Sequence, residues 1–400
     1  MKINRLKAFR IEDTRGESTI DIRIDTDWGI FNGSAPNGKS RGKYEARPWK
    51  INLSEDIKFI NKCDIRNFRL EKFDDLKNIE IIFWRHIGAN TMIALEYAFL
   101  KAMAAKQKKE VWQLINPKAG EKTKKFPMPV GNAIGGGAHS KLYSSLGPRF
   151  QEFHFIPDNA SFEKAVEINK RARENCAEIL ANEDKKFVKK ANDENAWETS
   201  FNDEQVINVL MDVKENMIDE FGGKIHCGMD VAASEFFESR KYEYKDRKKL
   251  GRNEQIKLMI EYADKLFYIE DPLEENDFEG FAEISKKAKG LIVGDDLTAT
   301  NFERIKLAYK KKAINGLIIK PNQNGSLMEL KKIVEFCKKF KIKMIFSHRS
   351  GETSEDLLAD LAFGFQADFI KTGICGKGRD EKLDRMIEIE RSLMKPITKK

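Results

Sequence analysis

Six short apolar, β-rich runs, each ending at or beside an ionisable residue, constrain this chain more than any other feature. They are Lys224 to Val231, Leu266 to Asp271, Leu291 to Asp296, Gly316 to Asn322, Lys343 to Ser347 and Asp368 to Thr372, and their end residues are Asp230, Glu270, Asp295, Lys320, His348 and Lys371. Successive end residues lie 40, 25, 25, 28 and 23 positions apart, each about a strand, a helix and two loops. Amphipathic helical stretches fill the intervals, the pattern of parallel β/α units. Strands of such a sheet are covered on both faces, so charge at their ends is costly unless the ends converge on one polar site. A (β/α)₈ barrel brings them together at its C-terminal mouth.

The expected fold class is therefore α/β, a modified TIM-type barrel over residues 121–400. A smaller α+β capping domain over residues 1–120 precedes it. Strand-like alternation runs from Ile3 to Ile11 and from Thr19 to Asp25, helical apolar spacing covers residues 88–114, and Asn116 to Lys125 reads as a charged linker. Between strands and helices, Ser34 to Gly42 is small, polar and punctuated by Gly and Pro, the composition of a mobile loop.

Composition removes other classes. The net charge of +8 comes from 72 basic and 64 acidic residues mixed along the chain, and with 52 Lys against 20 Arg it does not favour nucleic acid as primary partner. Five cysteines without a Cys-x-x-Cys suggest neither disulfides nor structural zinc. The most apolar long stretch, residues 89–105, is interrupted by Glu96 and Lys101, and the N-terminus alternates charge, so neither a membrane span nor a signal peptide is expected. A cytoplasmic protein fits.

Three carboxylates, Asp230, Glu270 and Asp295, end successive runs. Held close they repel, and an all-oxygen set favours Mg²⁺ or Mn²⁺ over zinc. Lys320, beside such a cation, is pushed toward the neutral amine and becomes a base. With Arg349 for an anionic substrate, this chemistry is proton abstraction next to a carboxylate. Acid–base help is on the order of 10²–10⁴-fold, so electrostatics must supply most of the ~8–23 kcal/mol that enzymes commonly remove.

The segments Gly228-Met229-Asp230-Val231-Ala232-Ala233-Ser234-Glu235-Phe236, Ile269-Glu270-Asp271-Pro272, Gly294-Asp295-Asp296-Leu297-Thr298, Lys320-Pro321-Asn322-Gln323, Ser347-His348-Arg349-Ser350-Gly351-Glu352-Thr353 and Ile370-Lys371-Thr372-Gly373 resemble the enolase family, in its order and at compatible spacings. Asp13-Thr14-Arg15-Gly16, Gly88-Ala89-Asn90, Gly136-Gly137-Ala138-His139 and Gln151-Glu152-Phe153 extend the resemblance over about residues 5–392. It implies reversible, Mg²⁺-dependent dehydration of 2-phosphoglycerate to phosphoenolpyruvate in glycolysis and gluconeogenesis, with two Mg²⁺ per active site and a homodimer or an octamer. Carried over residue by residue, it implies that Asp230, Glu270 and Asp295 hold the tighter Mg²⁺ and that Lys320 takes the C2 proton. Glu194 would protonate the leaving hydroxyl with Glu152 in support. Arg349 and Ser350 would hold the phosphate, Lys371 the substrate carboxylate and His348 the hydroxyl end. Ser40 would ligate the second Mg²⁺, and His139 would meet the phosphate on closure.

The chain departs from the family where Asn195-Ala196 replaces Gly-Gly and Gly135 replaces Asn. Because non-Gly residues resist positive φ, a stiffer acid-bearing loop is expected. His86, His154 and His226 read as structural or surface residues. Alternative readings are another enolase-superfamily lyase or isomerase acting on a different carboxylate, and a non-catalytic enolase-like binding protein.

Overall fold

A computed structural model of the chain describes residues 3–394 apart from 40–41, 66–69, 123–125, 141, 143–144, 160 and 247. Strands β1 (Ile3–Glu12), β2 (Ser18–Thr26) and β3 (Gly29–Ser34) form an antiparallel sheet in that order. The first two match the expected alternation, with Ile20, Ile22 and Ile24 all buried on one face. The third was not expected, because its Gly and Asn content hides an apolar pattern. Helices α1 (Leu53–Lys62), α2 (Leu76–Phe83) and α3 (Ala89–Gln107) follow.

Helix α3 is the structural spine. It is buried over nearly its whole circumference, and its two interrupting charges face partners in the barrel. Glu96 accepts the backbone N–H of Leu327 at 3.0 Å, and Lys101 pairs with Glu355 at 2.7 Å. The sheet meets α3 at Gly33. A Cβ there would lie 2.4 Å from the Ala94 carbonyl oxygen and 2.7 Å from the Ala98 nitrogen, both helix backbone. Gly33→Ala is expected to cost ~1–3 kcal/mol through this overlap, read as a lower denaturation midpoint; an unchanged midpoint would contradict so tight a contact.

The larger unit is a curled ten-stranded sheet in the order β4-β16-β15-β14-β13-β12-β8-β6-β5-β7. Its strands are β4 (Met128–Pro129), β5 (Gly131–Gly135), β6 (Glu152–Asp158), β7 (Trp197–Glu198) and β8 (Lys224–Asp230). A small separate sheet, β9 (Phe237–Glu238), β10 (Lys241–Glu243) and β11 (Lys249–Leu250), interrupts the series. Then come β12 (Tyr268–Glu270), β13 (Leu291–Gly294), β14 (Gly316–Ile319), β15 (Lys343–Ser347) and β16 (Phe369–Lys371). The expected α/β barrel is present, with the six anticipated runs as β8 and β12 to β16. The run at Gly316 is shorter as a strand, because Pro321 lacks the N–H a strand needs and opens a helical turn instead.

The sheet is parallel from β4 through β8, but β6 runs antiparallel to both β8 and β5. The uniform parallel units expected from about residue 121 therefore begin only at β8. Apolar side chains including Val130, Ile156, Val293, Ile318 and Ile345 fill the barrel below its mouth. Outer helices start at side-chain caps, among them Ser161, Asn202, Asp277, Asn301 and Ser326, each accepting a first-turn N–H. Among the described residues, no helix is long and apolar enough to cross a membrane.

Candidate active site

Strand ends build the site. Asp230, Glu270 and Lys371 are the last residues of β8, β12 and β16, while Asp295, Lys320 and His348 each stand one residue past β13, β14 and β15. Glu152 is the first residue of β6. Because β6 is reversed, its beginning lies at the same rim, with Glu152 paired in register to Asp230. Glu194 reaches the rim from the loop before β7; Asn132 donates to it at 3.4 Å, and it shares a hydrogen bond with Glu152. All of these side chains are deeply buried except Lys320, which is partly so.

Lysines balance the acids. The Lys371 ammonium sits 3.1 Å from Asp230, 2.9 Å from Glu270 and 3.1 Å from Glu152, and Lys320 is ion-paired with Asp295. Burial pushes Glu270 up to about 8 and Asp230 up to about 6, with neighbouring carboxylates adding to the push. Burial also acts on Asp295, but Lys320 outweighs it and holds that carboxyl below its usual range. The amine of Lys320 stays above the ordinary lysine range, since Asp295 overcomes the burial that would discharge it. The expected lowering of Lys320 is therefore not a property of the protein's own charges, because its ion pair to Asp295 favours the ammonium.

The carboxylates fit a hard dication. Glu152, Asp230, Glu270 and Asp295 crowd one rim with two lysines among them, and Glu270 Oε1 is buried with no hydrogen-bond partner. Another trio, Asp271, Asp295 and Asp296, has oxygens all within 4.8 Å of one another. Asp271 is otherwise engaged: its carboxylate accepts the backbone N–H groups of Asp295 at 3.1 Å and Asp296 at 2.6 Å. It ties down the turn that carries Asp295, from a positive φ of 41°. Glu270, with its bare oxygen, is the better donor.

At the other end of the cavity lie His348, Arg349 and Ser350. Burial, then Arg379, pushes His348 well below its ordinary value, so the ring is neutral, and its Nδ1 is buried without a partner. Arg349 pairs with both oxygens of Glu45, at 2.9 and 3.2 Å, and donates to Asn322 at 3.3 Å. The Ser350 hydroxyl accepts the Lys39 backbone N–H at 2.8 Å and an Arg15 guanidinium N–H at 3.0 Å. Asn37 and Gly351 exchange two backbone hydrogen bonds, at 2.7 and 2.9 Å, docking the small domain on this rim. Ser40 lies outside the described residues. His139 closes the single turn Gly137–His139, and its side chain is likewise outside the described part.

The two departures from the family pattern meet in space. A Cβ on Gly135 would come within 2.2 Å of the Asn192 amide nitrogen. The room left open holds Asn192, whose side-chain oxygen accepts the N–H groups of Glu194 at 2.9 Å and Ala196 at 3.0 Å. Asn195 takes φ +63°, which asparagine tolerates better than most residues. Its amide donates to the Cys375 carbonyl and Sγ at 3.3 and 3.0 Å, and its carbonyl accepts from Arg173 at 2.7 Å. The loop is thus pinned on both sides of Glu194.

Burial, then the charge of Glu152, pushes Glu194 up to about 8 from an ordinary 4.5. The folded pair keeps a proton that the unfolded chain loses above the ordinary carboxyl range. Stability from this proton is complete below about 4.5 and is lost as pH rises to about 8. In chelator, the melting temperature of Glu194→Gln relative to the parent is expected to rise from pH 5 to pH 8, because glutamine has no proton to lose. A constant difference would remove the raised carboxyl.

Sequence reasoning named Glu152, Glu194, Asp230, Glu270, Asp295, Lys320, His348, Arg349, Ser350 and Lys371, and the fold brings all ten to one rim. It missed Glu45, which is 304 residues from Arg349, and Gln323, which donates to Asp295 at 3.1 Å. His154, read from the sequence as a structural or surface residue, is buried and lies 2.8 Å from Glu152. Glu45 carries no local signal, whereas Gln323 lay inside a quoted motif.

A curled β/α barrel with buried acids and amines gathered at the strand-end rim defines the class: a barrel enzyme built for acid–base work on an anionic substrate. The family model described as "Enolase, C-terminal TIM barrel domain" matches residues 123–398. The chain is 36% identical over 392 residues to the enolase of Archaeoglobus fulgidus, covering 96% of each protein. It is also 36% identical to that of Sulfurisphaera tokodaii, over 97% of this chain and 95% of that one, and 35% identical to that of Methanocorpusculum labreanum, over 97% and 99%. The chain belongs to the enolase family, whose members are lyases, and the resemblance read from its motifs is borne out.

Proposed function

We propose that this protein dehydrates 2-phosphoglycerate to phosphoenolpyruvate, reversibly and with two Mg²⁺ per site, in the cytoplasm. Residues 1–120 form its capping domain and 121–400 its catalytic barrel, and the working form is a homodimer or an octamer of dimers. The reading is supported above all by four groups from four strands, Asp230, Glu270, Asp295 and Lys320, meeting at one buried rim.

Asp230, Glu270 and Asp295 would hold the tighter ion, and Ser40 would contribute to the second. When bound, Mg²⁺ would supply the positive charge that stabilises negative charge developing on the substrate. Lys320 takes the C2 proton on Nζ. The neutral amine that a base requires would be favoured once the ion pair of Lys320 with Asp295 is broken. Glu194 gives its proton to the C3 hydroxyl, the C3–O bond breaks with its electron pair, water leaves, and the C2–C3 double bond forms. Glu152 shares the proton of Glu194 and helps to keep that acid protonated. Lys371 pairs with the substrate carboxylate, and neutral His348 offers Nδ1 to the hydroxyl end. Arg349 exchanges Glu45 for the phosphate beside Ser350, and His139 meets the phosphate on closure.

The test is a coupled assay for phosphoenolpyruvate from 2-phosphoglycerate, with and without chelator. Formation abolished by chelator and restored by Mg²⁺ is expected. Turnover of sugar acids with none of 2-phosphoglycerate would overturn the assignment in favour of another superfamily reaction.

A further inference from the structure

We propose that His154 is a positioning residue for Glu152, holding that carboxylate from beneath so that the Glu152–Glu194 pair faces the leaving hydroxyl. The inference rests on the acid role given to Glu194 and Glu152 above.

Two rows of inward side chains carry it. Along β6, Glu152 and His154 are two residues apart and share the inner face. Register aligns Glu152 with Asp230 and Asp230 with Glu270, so these acids form one row across three strands. The row below is His154, Gly228 and Tyr268. Gly228 separates the two rings without filling the space between them; a Cβ there would sit 2.7 Å from the Tyr268 Cβ. The rings meet edge to face with centroids 5.6 Å apart. Each aims a donor at the acid above it: His154 Nε2 lies 2.8 Å from Glu152 Oε2, and the Tyr268 hydroxyl 2.5 Å from Glu270 Oε2. The lower row thus braces the acid side of the rim at one end and the proposed metal side at the other.

His154 is fully buried, and its Nδ1 has no hydrogen-bond partner. An apolar side chain would fill the place without stranding a polar atom. With nothing to receive a proton from Nδ1, the hydrogen sits on Nε2, which donates to Glu152. The same oxygen, Glu152 Oε2, also meets the Lys371 ammonium at 3.1 Å, so His154 and Lys371 compete for it. Without the donor below, the carboxylate is drawn toward Lys371 and turns away from Glu194.

Removal of the donor should therefore slow loss of the hydroxyl while sparing substrate binding, metal binding and C2 proton removal. The full-length Mg²⁺-loaded protein is compared as parent, His154→Leu and His154→Gln. For His154→Leu, kcat is expected to fall about 10–100-fold, the scale of lost supporting hydrogen bonds, with KM and the Mg²⁺ midpoint within about two-fold of the parent. Exchange of the substrate C2 hydrogen with solvent should continue near the parental rate. His154→Gln, which keeps an N–H donor, should recover most of the loss. If the leucine variant does not fold, His154→Met carries the same expectation. An unchanged kcat in a folded leucine or methionine variant overturns the proposal, and so does a joint loss of kcat, KM and Mg²⁺ response that glutamine does not rescue. A parent inactive on 2-phosphoglycerate would instead defeat the functional reading itself.

Discussion

Lys320→Ala is expected to lower kcat on the order of 10²–10⁴-fold, the range a general base contributes, while Mg²⁺ still raises the melting temperature. The separation follows from geometry. Lys320 sits one residue past β14 and touches Asp295, but it supplies no oxygen to a cation. Its removal deletes an amine that competes for Asp295, so ion affinity should hold or improve. Paired measurements of steady-state turnover and of thermal shift against Mg²⁺ check both halves. Retained turnover would reject Lys320 as the base, and loss of the Mg²⁺ shift would show that it holds the ligands in place.

Glu270→Gln should do the reverse to the metal. Its Oε1 is buried and unpartnered, while Oε2 receives Lys371 at 2.9 Å and Tyr268. The amide keeps the shape and removes the charge. At least a ~100-fold rise in the Mg²⁺ concentration at half-maximal stabilisation is expected, since losing a ligand should exceed the ~10–100-fold typical of losing an outer partner. Turnover at low Mg²⁺ should disappear and return in part at high Mg²⁺. The same variant should be more stable than the parent in chelator above pH 8, because burial and the Asp230 charge push the parental carboxyl up to about 8 and glutamine has no proton to lose. An unchanged Mg²⁺ titration would reject the ligand set.

These two residues show why the site was so legible. Each closes a strand, and a strand that ends in charge after a buried apolar run announces a polar meeting point before any coordinates exist. Supporting groups gave no such sign. Glu45 lies in a loop with nothing periodic around it, and its meaning comes from contact with Arg349. His154 follows Glu152 by two positions, a spacing that places both on one face only once the strand is known. Whether that face looks into the barrel or outward depends on the register of β6 against β8, and the reversal of β6 puts Glu152 at the common rim; local residues encode neither.

The departures at Gly135 and Asn195 make the same point from the other side. Read singly, they suggest a stiffened and disturbed acid loop. In the folded chain, the space left by Gly135 receives Asn192, and Asn192 and Asn195 fasten the loop around Glu194. A substitution read alone is judged against a backbone that has not moved, whereas neighbours distant in sequence can take up the change together.

The chain's own order of residues determined the barrel and the six charged strand ends, because strand length, apolar runs and terminal charges are local properties repeated along the polymer. The resemblance of its motifs to the enolase family added Glu152, Glu194, Arg349 and Ser350. Tertiary structure alone decided which acids share a proton, which lysine answers which carboxylate, how β6 turns Glu152 to the common rim, and what braces each acid from below. Those choices depend on distances of a few ångströms between segments far apart in the chain, and burial gives each of them its electrostatic weight.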